Sequence, residues 1–174
     1  MIDEQNIARK KTMSPDSPAS SPLTPTQLDA IRETFALVAL QPDTAARAFY
    51  ERLFQLDPSL RPLFRPDLEE QGRKLMQMLG AAVRLLDNPP ALIPVLENLG
   101  RRHSGYGVRD EHYDTVGEAL LSTLSAALGE LFTPTAREAW ANLYGLVATT
   151  MQRAANEGGP TNCSAASGVA TEAA

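Results

Sequence analysis

The chain has two histidines, and one of them, His103, lies at the end of an apolar helical stripe. Leu92, Leu96, Leu99 and His103 recur at offsets of four, seven and eleven residues, which is one face of a helix. An imidazole directed into a leucine-lined space is either buried at some cost or bound to something. Periodicity alone also allows a histidine that favours the helix dipole or bonds a carbonyl at the helix C-terminus.

The composition indicates one domain with a substantial core and no polyanionic partner. The chain has 174 residues, of which 43% are hydrophobic, and its formal net charge is −5. Because phosphate binding needs clustered Lys and Arg, nucleic acid and anionic membranes are disfavoured as partners. Cys163 has no second cysteine to pair with, which favours a reducing cytoplasm. No apolar run reaches membrane-spanning length, and the first residues lack the apolar segment of a signal peptide.

Helix start and stop signals between two low-complexity arms predict an all-α domain. Residues 1–23 and 158–174 have no apolar period, so we predict two disordered arms around a domain at 24–157. Thr24 and Gln27 can form a capping box, with Pro25 at the first helical position. Further signals predict helices from residue 43, at about 68–86, ending in His103, at about 111–131, and from 134 to 157. With no strand pattern, we expect about six main helices plus short turns.

Three segments resemble the globin family. The segment LGRRHSGYGV at 99–108 is similar to the corner that carries the proximal histidine, and EEQGRKLMQMLG at 69–80 is similar to the distal helix. The stretch from Asp57-Pro58 to Leu63-Phe64 is similar to the short third helix and its phenylalanine. The resemblance covers roughly residues 23–156 and is greatest to bacterial single-domain globins of the flavohaemoglobin and neuroglobin-like branch. It implies a globin fold around a haem pocket.

The resemblance also implies an iron site. His103 would bind the iron of haem b through one ring nitrogen, while a helix carbonyl, that of Leu99, would hold the other. Phe64 would wedge against the porphyrin, and Leu75 would lie over the iron. The other implied contacts are Lys74 and Arg102 at the haem propionates, and Val108, Tyr113 and Val116 on the proximal side.

On the distal side, the resemblance implies that Tyr50 and Gln71 donate hydrogen bonds to the ligand, although Tyr50 alone on an apolar face is typical of a core tyrosine. Ala46 and Gly72 are implied to lie where the second and distal helices cross closely. Many globins have a histidine at the position of Gln71. The other histidine of this chain, His112, is interpreted as a surface cap of the following helix.

The leading functional hypothesis is a cytoplasmic haem-b globin that reversibly binds O2 and other diatomic ligands. Its small ligands would be O2, NO, CO or sulfide, with no nucleic acid and no membrane as partner. The alternative is a nitric oxide dioxygenase that depends on an external reductase, and a haem-free globin-fold sensor is less favoured. Flavohaemoglobins pair a proximal tyrosine, here Tyr113, with an acid in the last helix. That position falls at Ala155, and Glu157 is the nearest acid.

Overall fold

The computed structural model describes residues 23–64 and 66–157, which form six α-helices and two short 3-10 segments. The helices are α1 (Pro25–Val38), α2 (Pro42–Leu56), α3 (Leu68–Arg84), α4 (Pro89–Ser104), α5 (Asp110–Leu128) and α6 (Pro134–Glu157). The 3-10 segments are Pro58–Leu63 and Gly129–Leu131. The all-α prediction, with its six main helices and short turns, is therefore confirmed for this part of the chain.

The two predicted arms lie almost wholly outside the described residues, as does Cys163. Leu23, which we placed at the end of the first arm, is described and is only 4% exposed. Within the described ranges, no helix has the combination of length and apolar character that crossing a bilayer requires.

Local capping explains where the helices begin. Thr24 Oγ1 accepts a hydrogen bond from the Gln27 backbone N–H at 3.3 Å, and Gln27 Oε1 accepts one from Thr24 N–H at 3.0 Å. This is the predicted capping box, which satisfies two amides that have no partner within the helix. At α4, Asn88 Oδ1 accepts from the N–H of Ala91, and Pro89 occupies the first turn. The segment at 88–90, predicted only as the stop of α3, therefore also starts α4.

Close helix crossings set the frame of the site. Helix α3 packs on α2, and α4 packs along α6. A Cβ atom built on Gly100 of α4 would lie 2.2 Å from the carbonyl oxygen of Met151 on α6, so only glycine allows this approach. A Cβ on Gly72 of α3 would lie 2.8 Å from the Cβ of Ala46 on α2. The close crossing expected at Ala46 and Gly72 is confirmed.

A buried polar link fastens α1 to α6 in the core. Trp140 is 0% exposed, and its indole Nε1–H donates a hydrogen bond to Thr34 Oγ1 at 2.9 Å. The Thr34 hydroxyl in turn donates to the Ala30 carbonyl at 2.6 Å. The indole N–H is thus buried without losing a hydrogen bond, a loss that would cost about 1–3 kcal/mol.

Candidate functional site

His103 lies in the last turn of α4, and its imidazole is fixed by its own helix. Nδ1 is 2.9 Å from the carbonyl oxygen of Leu99, the partner that the resemblance implied. Because a carbonyl can only accept, Nδ1 carries the hydrogen and Nε2 carries the lone pair. Burial lowers the pKa of His103, and the hydrogen bond to Leu99 opposes this only in part. The result is a neutral, oriented imidazole whose Nε2 is able to bind a metal ion.

His103 lines two adjoining cavities. We call the first the Gln71 cavity, which has a volume of about 350 Å³, and the second the Trp140 cavity, of about 190 Å³. The two share much of their wall, including Leu75, Leu99 and Val116. Their combined volume falls within the roughly 300–1,000 Å³ typical of pockets for small molecules and cofactors. Most of the lining is apolar, so the few polar groups in it are conspicuous.

Tyr50, on α2, is the phenol in the wall of the Gln71 cavity. It is 6% exposed, and its ring stacks on Phe54 and meets Phe49 and Phe64 edge-on, with centroids 5.2–6.1 Å away. Among the described residues, its hydroxyl has no hydrogen-bond partner. Burial raises the pKa of Tyr50 to about 12, so the phenol keeps its proton at neutral pH. It is therefore a hydrogen-bond donor available to a molecule in the cavity.

Gln71, on α3, supplies the carboxamide of the same cavity. Its Oε1 is buried and has no hydrogen-bond partner among the described residues. Leaving a buried polar atom unsatisfied costs about 1–3 kcal/mol, and such atoms are rare in folded proteins. An unsatisfied carboxamide in a cavity wall is typical of a position that a ligand or an ordered water satisfies.

Of the five remaining predicted site residues, three line the Gln71 cavity, one lines the Trp140 cavity and one lines neither. Phe64, Lys74 and Val108 line the Gln71 cavity, and Tyr113 lines the Trp140 cavity. Lys74 is already engaged, because its Nζ lies 2.6 Å from Glu70 Oε1 one turn earlier. Arg102 is exposed and lines neither cavity, and its contact with a haem propionate stays a prediction.

Comparison with known proteins identifies the family. The globin family model matches residues 47–151. Neuroglobin from Dissostichus mawsoni is 38% identical over 118 residues, which is 60% of this chain and 74% of that protein. The chain is a globin.

Other relatives of this globin differ in how much of their length it covers. A flavohemoprotein from Xylella fastidiosa is 32% identical over 136 residues, which is 76% of this chain but 34% of that protein. Solved structures with the same fold include a hexacoordinated heme protein from an anhydrobiotic tardigrade, with a TM-score of 0.73 at 17% identity, covering 80% of this chain and 99% of that one. A flavohemoglobin from Malassezia yamatoensis has a TM-score of 0.65 at 23% identity, covering 78% of this chain and 37% of that one. At these identities the structures show a shared fold.

The structure adds site residues of this globin that sequence reasoning missed. Phe49 and Met78 line both cavities, and their places on the apolar faces of α2 and α3 were the available signal. His112 also lines both cavities, and the interpretation of it as a surface residue is wrong, because it is only 6% exposed. It does cap α5: its Nδ1 accepts a hydrogen bond from the backbone N–H of Arg109 at 3.1 Å.

Tyr113, which the resemblance implies to be the proximal tyrosine, shares neither cavity with an acid of α6 among the described residues. The position that the flavohaemoglobin pattern assigns to the acid is Ala155, which is half-buried. Glu157 is 66% exposed and pairs with Arg153 one turn earlier, at 3.8 Å. Neither residue lines the Gln71 or the Trp140 cavity.

Proposed function

We propose that this globin binds haem b through His103 and reversibly binds O2 and other diatomic ligands at a site shared by Tyr50 and Gln71. The observation that carries the proposal is the hydrogen bond between His103 Nδ1 and the Leu99 carbonyl. It leaves Nε2 as the free nitrogen of a histidine in the wall of the same cavity as Tyr50 and Gln71. The neuroglobin relative and the heme-containing structural neighbours support the same conclusion.

The described residues fit such a group in three respects. The imidazole is neutral and oriented, as an iron ligand must be. The adjoining cavities are mostly apolar, which suits a flat hydrophobic macrocycle. The buried Oε1 of Gln71 has no partner among the described residues, which supports a carboxamide whose remaining hydrogen bonds are made to a ligand or an ordered water.

The bound haem would supply a ferrous iron with one open position for a diatomic gas. The chain's contribution is selectivity. The phenol of Tyr50 and the amide N–H of Gln71 are donors, so they favour a ligand that carries partial negative charge. One hydrogen bond to a charged group contributes about 1.5–3 kcal/mol. Phe64 and Leu75 add apolar surface to the wall and exclude water from around the ligand.

A second candidate function is the conversion of NO and O2 to nitrate, which consumes one electron per turnover. The flavohemoprotein relative favours it. This chain spans about one third of that relative, and each turnover needs a reductase as the source of the electron. The proximal side argues against efficient turnover, because no carboxylate from α6 lines either cavity in the described part of the chain. We therefore rank gas binding first, and a cytoplasmic location stays a prediction from the single cysteine.

The test is a titration of the purified protein with hemin, followed by reduction and exposure to O2 and CO. We expect a saturable Soret band at one haem per chain and distinct spectra for the ferrous, oxy and carbonmonoxy forms. A folded protein that takes up no hemin would refute the proposal. Mixing the oxy form with NO, with and without a cell extract and NADH, tests the second function. Failure to regenerate the ferrous form would leave gas binding as the function.

A further inference from the structure

A third cavity lies between α2 and α3, outside the haem site described above. We call it the α2–α3 groove; its volume is about 320 Å³. Its floor is buried and formed by Ala46, Tyr50 and Gly72, with the half-buried Phe54 and Leu68 beside them. Five exposed charged residues form its rim: Asp43, Arg47, Glu51, Glu69 and Arg73.

Tyr50 is the one described residue that lines both this groove and the Gln71 cavity. Its ring is therefore the partition between a groove that opens among exposed charged residues and the cavity in which Gln71 lies. The groove reaches this ring because the small residues Ala46 and Gly72 form the crossing of α2 and α3. Larger side chains at these two positions would fill the floor.

No hydrogen bond to a described residue holds the Tyr50 ring in place. The hydroxyl of Tyr50 has no hydrogen-bond partner there, and the ring is held by its contacts with Phe49, Phe54 and Phe64. Aromatic contacts restrain a ring less directionally than a hydrogen bond does. No ion pair between described residues joins the α2 side of the rim to the α3 side.

We propose that diatomic ligands reach the Gln71 cavity through the α2–α3 groove, and that the ring of Tyr50 is the gate between the two. This inference rests on the proposed function. The apolar floor admits a small neutral molecule and rejects hydrated ions, which lose solvation there. A diatomic gas is similar in size to a water molecule, which occupies about 30 Å³ in the liquid, so the groove itself is not limiting. Movement of the ring sets the rate.

The gate and the hydrogen-bond donor are then the same residue. A ligand in the Gln71 cavity that accepts a hydrogen bond from Tyr50 gives the ring the anchor that it otherwise lacks. Such a ligand holds the gate closed behind it, whereas a ligand that accepts weakly leaves the ring free. The competing path leads past Lys74, which lines the Gln71 cavity and has a side chain 59% exposed.

The test compares CO association by flash photolysis in the ferrous haem-loaded protein. The variant Arg47→Phe/Arg73→Phe fills the groove from both sides of its rim. Its matched control is Gln77→Phe/Arg84→Phe, which adds the same side chains at two exposed positions of α3 outside the three cavities. We expect the groove variant to associate several-fold more slowly than the control. Equal rate constants would overturn the route, as would a slowing seen only in Lys74→Phe.

Two further measurements keep the result interpretable. Crystals of the wild-type protein under xenon pressure should show xenon in the α2–α3 groove, and an empty groove would contradict the proposal. Glu69→Phe, a single substitution on the same rim, serves if the double variant does not fold, with Gln77→Phe as its control. Absence of any CO adduct in the wild-type protein would refute the proposed function itself. A normal adduct formed at an unchanged rate in the groove variants would refute only the route.

Discussion

Tyr50 and Gln71 line one cavity from two different helices, and neither the Tyr50 hydroxyl nor Gln71 Oε1 has a hydrogen-bond partner among the described residues. Two polar groups left unsatisfied in one apolar wall form the most specific chemical feature of this site. It can be tested by removing one group at a time.

Replacing Tyr50 by Phe should speed the release of O2. The loss of a hydrogen bond of about 1.5–3 kcal/mol corresponds to roughly 10- to 150-fold in the dissociation rate constant. CO, which accepts hydrogen bonds weakly, should respond much less. Stopped-flow displacement of each gas measures both rates. Tyr144→Phe is the matched control, because that hydroxyl already donates to the Tyr113 carbonyl at 2.5 Å. Equal O2 release in the two variants would contradict the role of Tyr50.

Replacing His103 by Gly should abolish the normal Soret spectrum and reduce haem affinity. The substitution removes the imidazole whose Nδ1 is held by Leu99 and leaves space for a free one. Added imidazole should therefore restore the spectrum in a saturable way, and absorbance titrations measure this. The other histidine offers the comparison, since His112→Gln should keep its Soret band without imidazole. An unchanged spectrum in His103→Gly would show that another group binds the iron.

The crossing of α2 and α3 should be sensitive to a single methyl group. Gly72→Ala places a Cβ about 2.8 Å from that of Ala46, a clash that we expect to destabilise the fold by about 1–3 kcal/mol. The exchange Gly72→Ala/Ala46→Gly moves the methyl from one helix to the other and should recover most of the loss. Urea unfolding of the single and double variants provides the free energies. Additive losses in the double variant would mean that the two positions are not in contact.

Replacing Gly100 by alanine should destabilise the protein, whereas replacing Gly145 by alanine should stabilise it. Gly100→Ala puts a Cβ 2.2 Å from the backbone carbonyl of Met151, so α4 must move away from α6 and the protein should lose stability. Gly145 is exposed on α6 with open space at its Cβ position, so Gly145→Ala should gain about 0.5–1 kcal/mol. Thermal unfolding distinguishes the two. A loss of stability in both variants would contradict this account of the α4–α6 contact.

The stability of the protein should fall as the pH rises above about 10. A tyrosine in the unfolded chain titrates near pH 10, whereas burial raises the pKa of Tyr50 in the fold to about 12. Between these values the folded state holds the Tyr50 proton more tightly than the unfolded state does. This difference adds to the free energy of unfolding; its contribution is full below pH 10 and is lost as the pH rises to 12. Tyr50→Phe should reduce the slope of this part of the stability profile, measured by urea unfolding. The remaining slope comes from Tyr144 and Tyr113, because burial raises the pKa of each of them as well. Tyr106→Phe, at a ring 63% exposed, is the control for the loss of a tyrosine hydroxyl at the surface.

The sequence was sufficient for features that are local in the chain. The capping box of Thr24 and Gln27 and the hydrogen bond from His103 to Leu99 depend on residues three and four positions apart, which a helix brings together. The third helix ended at Arg84 rather than near Leu86, yet Leu86 is 3% exposed and belongs to the core, because burial continues past the last helical turn.

Features that depend on packing between helices could not be predicted from local sequence patterns. Arg102 precedes His103 in sequence, but successive residues on a helix diverge by about 100°, so His103 lines both cavities and Arg102 lines neither. His112 has the local signature of a cap, and nothing local indicates that its ring is buried while Asp110 and Glu111 beside it are exposed. The α2–α3 groove arises from the surfaces of two helices together and has no motif of its own.

The placement of Trp140 gives this protein a built-in optical reporter. The chain has a single tryptophan, and that residue is fully buried in the wall of one cavity, on a helix fastened to α1 through Thr34. Its emission therefore comes from one known location, without labelling. A porphyrin bound beside it would quench that emission by energy transfer, so loss of fluorescence would report the filling of the pocket, and a red shift would report its opening to water.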